Sequence, residues 1–138
     1  MRTRLVGASA IVLLSGGCGN GTGPSSALVG TYVATVFSVT PTGQAAINVL
    51  AAGGSLTISI AANNTTTGSL FIPASINGGT AFNADMAGSV TLTGTSVSFQ
   101  QSADTFVRDL TWTFSNSTLS VSSQSAGDAA HTITLTRQ

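Results

Sequence analysis

The feature that most constrains this chain is a two-residue apolar period that restarts after each turn signal. Leu56, Ile58 and Ile60 alternate with Ser55, Thr57 and Ser59, and Val97 and Phe99 with Ser96, Ser98 and Gln100. Leu110, Trp112 and Phe114 alternate with Asp109, Thr111 and Thr113, and Ile133 and Leu135 form the last such run. Successive side chains on a strand point to opposite faces, so this spacing makes strands with one apolar and one hydroxyl-bearing face. Asn63-Asn64, Asn77-Gly78-Gly79, Gly94-Thr95, Asn116-Ser117 and Gly127-Asp128 separate the runs with residues that favour turns, so the strands follow one another mostly as hairpins.

Less regular segments complete the set. Gly30 to Thr40 reads as a first strand, with Val33, Phe37 and Val39 on one face and Tyr32, Ala34 and Val36 on the other; Pro41-Thr42-Gly43 breaks it. Residues 44–52 read as a short helix or an apolar lid ended by Gly53-Gly54. Leu70 and Ile72 precede Pro73, a long strand is expected from Ala81 to Thr93 with a bulge or bend at Gly88, and Leu119 and Val121 fit a short strand. The result is an all-β chain of about eight strands, expected as an antiparallel up-and-down barrel, with a β-sandwich as the competing architecture. At this strand number a barrel either fills with side chains or holds one small ligand.

Composition agrees with a packed domain. Only 6% of residues are charged while 42% are hydrophobic, the opposite of the balance found in disordered chains. Beyond residue 17 the basic residues are Arg108 and Arg137, against Asp85, Asp104, Asp109 and Asp128, with no Lys or Glu. That balance gives no basic footprint for nucleic acid. One cysteine allows no internal disulfide, so the fold must rest on its core and its ladders.

The N-terminal segment has the layout of an export signal: Arg2 and Arg4, then an uncharged run over residues 5–17. As a helix that run spans about 20 Å, short of the ~30 Å hydrocarbon core. Its end, Leu14-Ser15-Gly16-Gly17-Cys18, resembles a bacterial lipobox. The resemblance implies cleavage before Cys18, a glyceryl lipid on its sulfur and an acylated new amine, which together make attachment to a membrane effectively permanent. An ordinary signal peptide or uncut anchor with an incidental thiol is the alternative. The expected organisation is a signal peptide at 1–17, a lipidated cysteine and Gly/Ser tether at 18–27, and one domain at 28–138. Gly19 follows the cysteine, where the enterobacterial sorting scheme has Asp for inner-membrane retention. A bacterial envelope location is therefore expected, at the outer rather than the inner membrane.

Gly30-Thr31-Tyr32 on the first strand and Arg137 on the last resemble the Gly-x-Trp motif and the terminal arginine of the lipocalins, with Tyr in the place of Trp. The resemblance covers roughly residues 28–138. It implies that Tyr32 and Arg137 close one end of the barrel and that the interior binds a small apolar molecule. Phe37, Ile58, Leu92, Phe99 and Trp112 are the residues expected to line such a cavity.

Catalytic and metal chemistry find little to work with. His131 is the sole histidine, and with Asp128 it could be imagined in a hydrolytic triad, but no Gly-x-Ser-x-Gly elbow exists and its place before the final alternation reads as a surface strand end. Zinc needs several His or Cys ligands, and calcium needs clustered carboxylates. The sequence therefore implies no enzyme, no cofactor and no metal site. Arg108-Asp109 beside Trp112 reads as a solvated pair or a contact for a ligand head group. Two functions remain open: a lipid-anchored protein that binds a small apolar ligand, or an envelope module with a filled core that works through its surface.

Overall fold

A computed structural model of the chain describes residues 27–138. The expected signal peptide, Cys18 and the tether up to residue 26 lie outside the described residues. The strands are β1 (Gly30–Pro41), β2 (Ile47–Asn48), β3 (Ser55–Ile60), β4 (Thr65–Ile72), β5 (Phe82–Asp85), β6 (Gly88–Thr93), β7 (Ser96–Gln101), β8 (Trp112–Ser115), β9 (Thr118–Ala126) and β10 (Ala129–Arg137). A 3-10 turn at Ala74–Ile76 and a short helix, α1 (Phe106–Asp109), lie in the connections.

Neighbours in the sheet run β10-β9-β8-β7-β6-β4-β3-β1, all antiparallel, and β1 pairs back onto β10 from Tyr32↔Arg137 to Pro41↔Ala129. That pairing closes eight strands into an up-and-down barrel, and β2 and β5 are short additions to β1 and β4. A single closed sheet rules out the sandwich. Closure also leaves the eight barrel strands without the long free edges that invite aggregation.

The inward positions follow the sequence period where the ladders are regular. Leu56, Ile58 and Ile60 of β3, Val97 and Phe99 of β7, Leu119 and Val121 of β9, and Ile133 and Leu135 of β10 are all buried. Two bulges break the phase. In β1 the register shifts between Ala34 and Val36, so that Tyr32 before the shift and Phe37 after it both point inward. Strict alternation puts those two on opposite faces, and the extra residue, Thr35, corrects it. In β9 the pairing moves from Ile133↔Val121 to His131↔Gln124, with Ser123 at φ 48° in the extra position.

Three other segments differ from the sequence reading. The strand expected over Ala81 to Thr93 divides into β5 and β6 at Met86-Ala87, where Asp85 Oδ1 accepts the Ala87 N–H at 2.7 Å. The break stands just before Gly88, whose missing Cβ leaves room for the Gln100 carbonyl. The run from Leu110 to Phe114 is only partly strand: α1 takes the chain as far as Asp109, and β8 begins at Trp112. Residues 44–52 form the two-residue β2 and a turn that presses Val49 into the core, its N–H bonded to the Phe37 carbonyl at 2.8 Å.

The barrel therefore has two distinct ends. The described chain enters at Leu28, beside the turns at Asn116-Ser117 and Gly94-Thr95. Segments 42–54, 73–81, 102–111 and the turn Gly127-Asp128 gather at the other end.

Candidate functional site

Four of the five residues expected to line a central cavity are buried within the hydrophobic core. Phe37, Ile58, Phe99 and Trp112 are at most 1% exposed. Phe99 meets Trp112 edge to face with centroids 5.7 Å apart, and the indole N–H donates to the Val107 carbonyl at 3.1 Å. Leu92 is half-buried against the core. None of the five borders the pocket described below.

Tyr32 and Arg137 face each other in the β1–β10 register at the entry end. The Tyr32 hydroxyl donates to the Leu28 carbonyl at 2.8 Å, and its ring meets Phe114 edge to face. Burial pushes the phenol pKa up, and the nearby Arg137 guanidinium works against that rise. The guanidinium donates to the carbonyls of Ala27 at 2.6 Å and Val29 at 3.3 Å, and to Ser117 Oγ at 2.8 Å. Its stem lies where a Cβ on Gly30 would stand 2.5 Å from Arg137 Cδ, and Gly30 has φ 150°. Glycine at 30 and arginine at 137 thus form one arrangement, which holds the incoming chain against the barrel.

The opposite end carries a pocket of about 130 Å³. Val39 and Pro41 of β1, Ile47 of β2 and Val49 after it, and Ile72 of β4 supply one part of its wall. Ile76 and Asn77 come from the 3-10 turn, Phe106 from α1 and His131 from β10. Each place has a local cause. Pro73 precedes the 3-10 turn in an extended conformation (φ −71°, ψ 153°), and the β1 bulge sets Phe37 and Val39 inward. The bulge in β9 leaves His131 in phase with Ile133 and Leu135.

His131 is 4% exposed, so its reading as a surface strand end is overturned. The strand starts at Ala129, ahead of His131, which turns a position expected before the final alternation into an inward one. The imidazole stacks on Phe106 with centroids 4.4 Å apart and 23° between planes. Burial lowers its pKa, and the backbone carbonyls of Gln124 and Ala129 oppose that shift in part. Its Nδ1 is buried without a hydrogen-bond partner among the described residues. Counting back by twos from Leu135 and Ile133 would have placed His131 inside; nothing in the sequence marks Val39, Ile47, Ile72 and Ile76 as sharing a wall with it.

Two more buried polar side chains stand near this end of their elements, Gln101 at the close of β7 and Thr105 just before α1; neither amide atom of the first nor the hydroxyl of the second has a partner among the described residues. Arg108 pairs not with Asp109 but with Asp104, at 2.6 Å on the surface, one helical turn away. Trp112 is buried, and neither Arg108 nor Asp104 borders the pocket. Among the described residues no three His, Cys, Asp or Glu side chains come together. No family model matches the chain, and no curated protein or solved structure matches it.

Proposed function

We propose that this protein is a lipid-anchored module of the bacterial envelope whose barrel is a packed support for a small binding pocket at one end. The observation that carries the binding part is the pocket itself: about 130 Å³, walled mainly by aliphatic and aromatic side chains. An apolar cavity of about 150 Å³ is large enough to admit benzene. The barrel centre, packed with Phe37, Ile58, Phe99 and Trp112, leaves the pocket as the favoured place for the ligand that the lipocalin resemblance implies. The role is read as non-catalytic, because His131 is the sole histidine and no three His, Cys, Asp or Glu side chains gather among the described residues to supply acid–base or nucleophilic partners. Attachment is assigned to Cys18 on the strength of Leu14-Ser15-Gly16-Gly17-Cys18.

Two measurements test this reading. Cells expressing the chain should incorporate labelled palmitate into it, and Cys18→Ala should abolish that label; equal labelling of the mutant defeats the anchor. Titrating the full chain with benzene should shift the methyl resonances of Ile47, Ile72 and Ile76 ahead of those in the barrel centre. Methyl signals that stay in place defeat the pocket.

A further inference from the structure

The elements that wall the pocket are not equally fixed. Val39, Pro41, Ile72 and His131 stand on barrel strands held by ladders, whereas Phe106 comes from the connection that spans residues 102–111. That connection lies where the barrel ladder is incomplete. β7 pairs with β8 only at Ser96↔Thr113 and Val97↔Trp112, and β9 pairs with β8 only from Ser115↔Thr118 to Thr113↔Ser120. Residues 98–101 of β7 and 121–126 of β9 therefore have no β8 residue opposite them, and α1 packs against β7 there.

Few hydrogen bonds hold the connection in place. Among the described residues no backbone bond joins residues 103–111 to another element; the Arg108 N–H to the Thr105 carbonyl at 3.3 Å and the Leu110 N–H to the Phe106 carbonyl at 3.2 Å are internal. The Trp112 indole reaches back to Val107. Across the gap the tie is one side chain of β9: Gln124 Oε1 accepts the Thr111 N–H at 2.9 Å, and Gln124 Nε2 donates to the Thr111 carbonyl at 2.6 Å. A helix of four residues is too short to persist without such support, and Thr105 at its N-cap makes no capping bond.

Burial acts on this segment in both directions. The Thr105 hydroxyl and both amide atoms of Gln101, where the connection begins, are buried without a partner among the described residues, and they regain hydrogen bonds to water if the segment lifts. Val107 and Leu110 are buried and oppose lifting. A segment so balanced belongs to the low-stability part of a fold, where a pair of hydrogen bonds decides its position.

Resting on the pocket reading above, we infer that residues 102–111 form a movable wall of the pocket, latched by Gln124, and that the latch sets the largest ligand the pocket takes. With the wall in place the cavity is close to the size that admits one aromatic ring. A fused two-ring hydrocarbon fits only when Phe106 withdraws from Phe37 and His131, so its affinity is reduced by the fraction of molecules that are latched. Gln124 neither borders the pocket nor belongs to the core, and removing its side chain changes that fraction while leaving the rest of the wall as it was.

Benzene and naphthalene titrated into the full chain, and followed through the methyl resonances of Ile47, Ile72 and Ile76, test the latch. The wild type should bind benzene more tightly than naphthalene. Gln124→Ala should raise the naphthalene affinity about five- to hundredfold, the range two neutral hydrogen bonds supply, and leave that for benzene within about twofold. A residue that only supported the fold would, on removal, weaken both. An unchanged ratio of the two affinities overturns the latch and leaves the pocket intact, whereas methyls unmoved by either compound mean that the pocket reading has failed and the movable wall with it. Should Gln124→Ala not fold, hydrogen exchange in the wild type decides: the Leu110 and Thr111 amides should exchange about tenfold faster or more than those within β3 and β10, and equal protection overturns the movable wall.

Discussion

Gly30 and Arg137 sit on opposite strands of the closing seam, and the structure makes them a coupled pair whose coupling is measurable. A Cβ at 30 would lie 2.5 Å from Arg137 Cδ and 3.0 Å from Cγ, inside any real carbon–carbon contact. Gly30→Ala therefore has two costs: the backbone strain of a side chain at φ 150°, about 1–3 kcal/mol, and displacement of the arginine stem. Displacing the stem moves the guanidinium away from Ala27 O, Val29 O and Ser117 Oγ. These bonds are charge-assisted but partly solvated, so together they contribute about 2–4 kcal/mol, below the sum for three buried ones. Arg137→Ala removes the same bonds by itself. In the double variant they are lost once, not twice, and the new Cβ finds open space. The double variant should be more stable than the sum of the single losses implies by about 1–3 kcal/mol. Urea denaturation followed by the fluorescence of Trp112, the sole tryptophan and 0% exposed, reads each corner of the cycle. Additivity to within about 0.5 kcal/mol refutes the coupling and with it the account of why residue 30 is glycine.

Two further perturbations test other parts of the fold. A Cβ on Gly68 would stand 2.0 Å from the Thr57 carbonyl oxygen, a backbone atom of β3 that cannot swing aside, and φ there is 138°; Gly68→Ala should cost at least 3 kcal/mol, of the order of the worst backbone substitutions, and a urea midpoint within error of the wild type would contradict the β3–β4 register. His131 is expected to make stability depend on pH. Burial lowers its folded pKa below the usual 6.5, so the unfolded chain binds the proton more readily. Stability should be level above about pH 6.5 and decline as pH falls from there towards the folded pKa, by up to about 1.4 kcal/mol per pH unit. Urea midpoints measured from pH 7.5 to 5.5 should show that decline in the wild type and lose it in His131→Phe; an equal slope in both means that the ring is not buried as described.

Much of the barrel is legible in the sequence because turn residues and the two-residue period act locally. Leu56-x-Ile58-x-Ile60 between Gly54 and Asn63 specifies a half-buried strand before anything is known of its neighbours. What does not show is anything that depends on two strands at once. The bulge at Thr35 exists because β1 must follow the curvature of β10 on one side and β3 on the other, and no residue of β1 announces it. The same holds for β9, where an extra residue beside His131 is visible only as a register shift. The strength of the Leu110 to Phe114 alternation misleads for a related reason: α1, which buries Val107, ends at Asp109, and its cap and the step into β8 occupy Leu110 and Thr111. The pocket wall was hidden for the same cause. Ile47, Ile72, Ile76 and Phe106 belong to four separate segments that meet only after the barrel has closed.

The two ends of the barrel also divide the work of β1. At Gly30 the incoming chain is clamped by Arg137 and by the Tyr32–Leu28 bond, while Val39, farther along the same strand, is already part of the pocket wall. Between them β1 runs roughly 30 Å, at about 3.3 Å per residue. Every strand that borders the pocket meets it at the end away from the chain entry: β4 at Ile72, β10 near its start at His131, α1 at Phe106. The described chain therefore begins at the end of the barrel away from the pocket. The cavity there is close in volume to one that admits a single aromatic ring. The entry end is instead filled by protein contacts, with Tyr32 edge to face on Phe114 and Arg137 bonded to Ser117, so the closing seam that holds the chain at one end leaves the other end to shape the pocket.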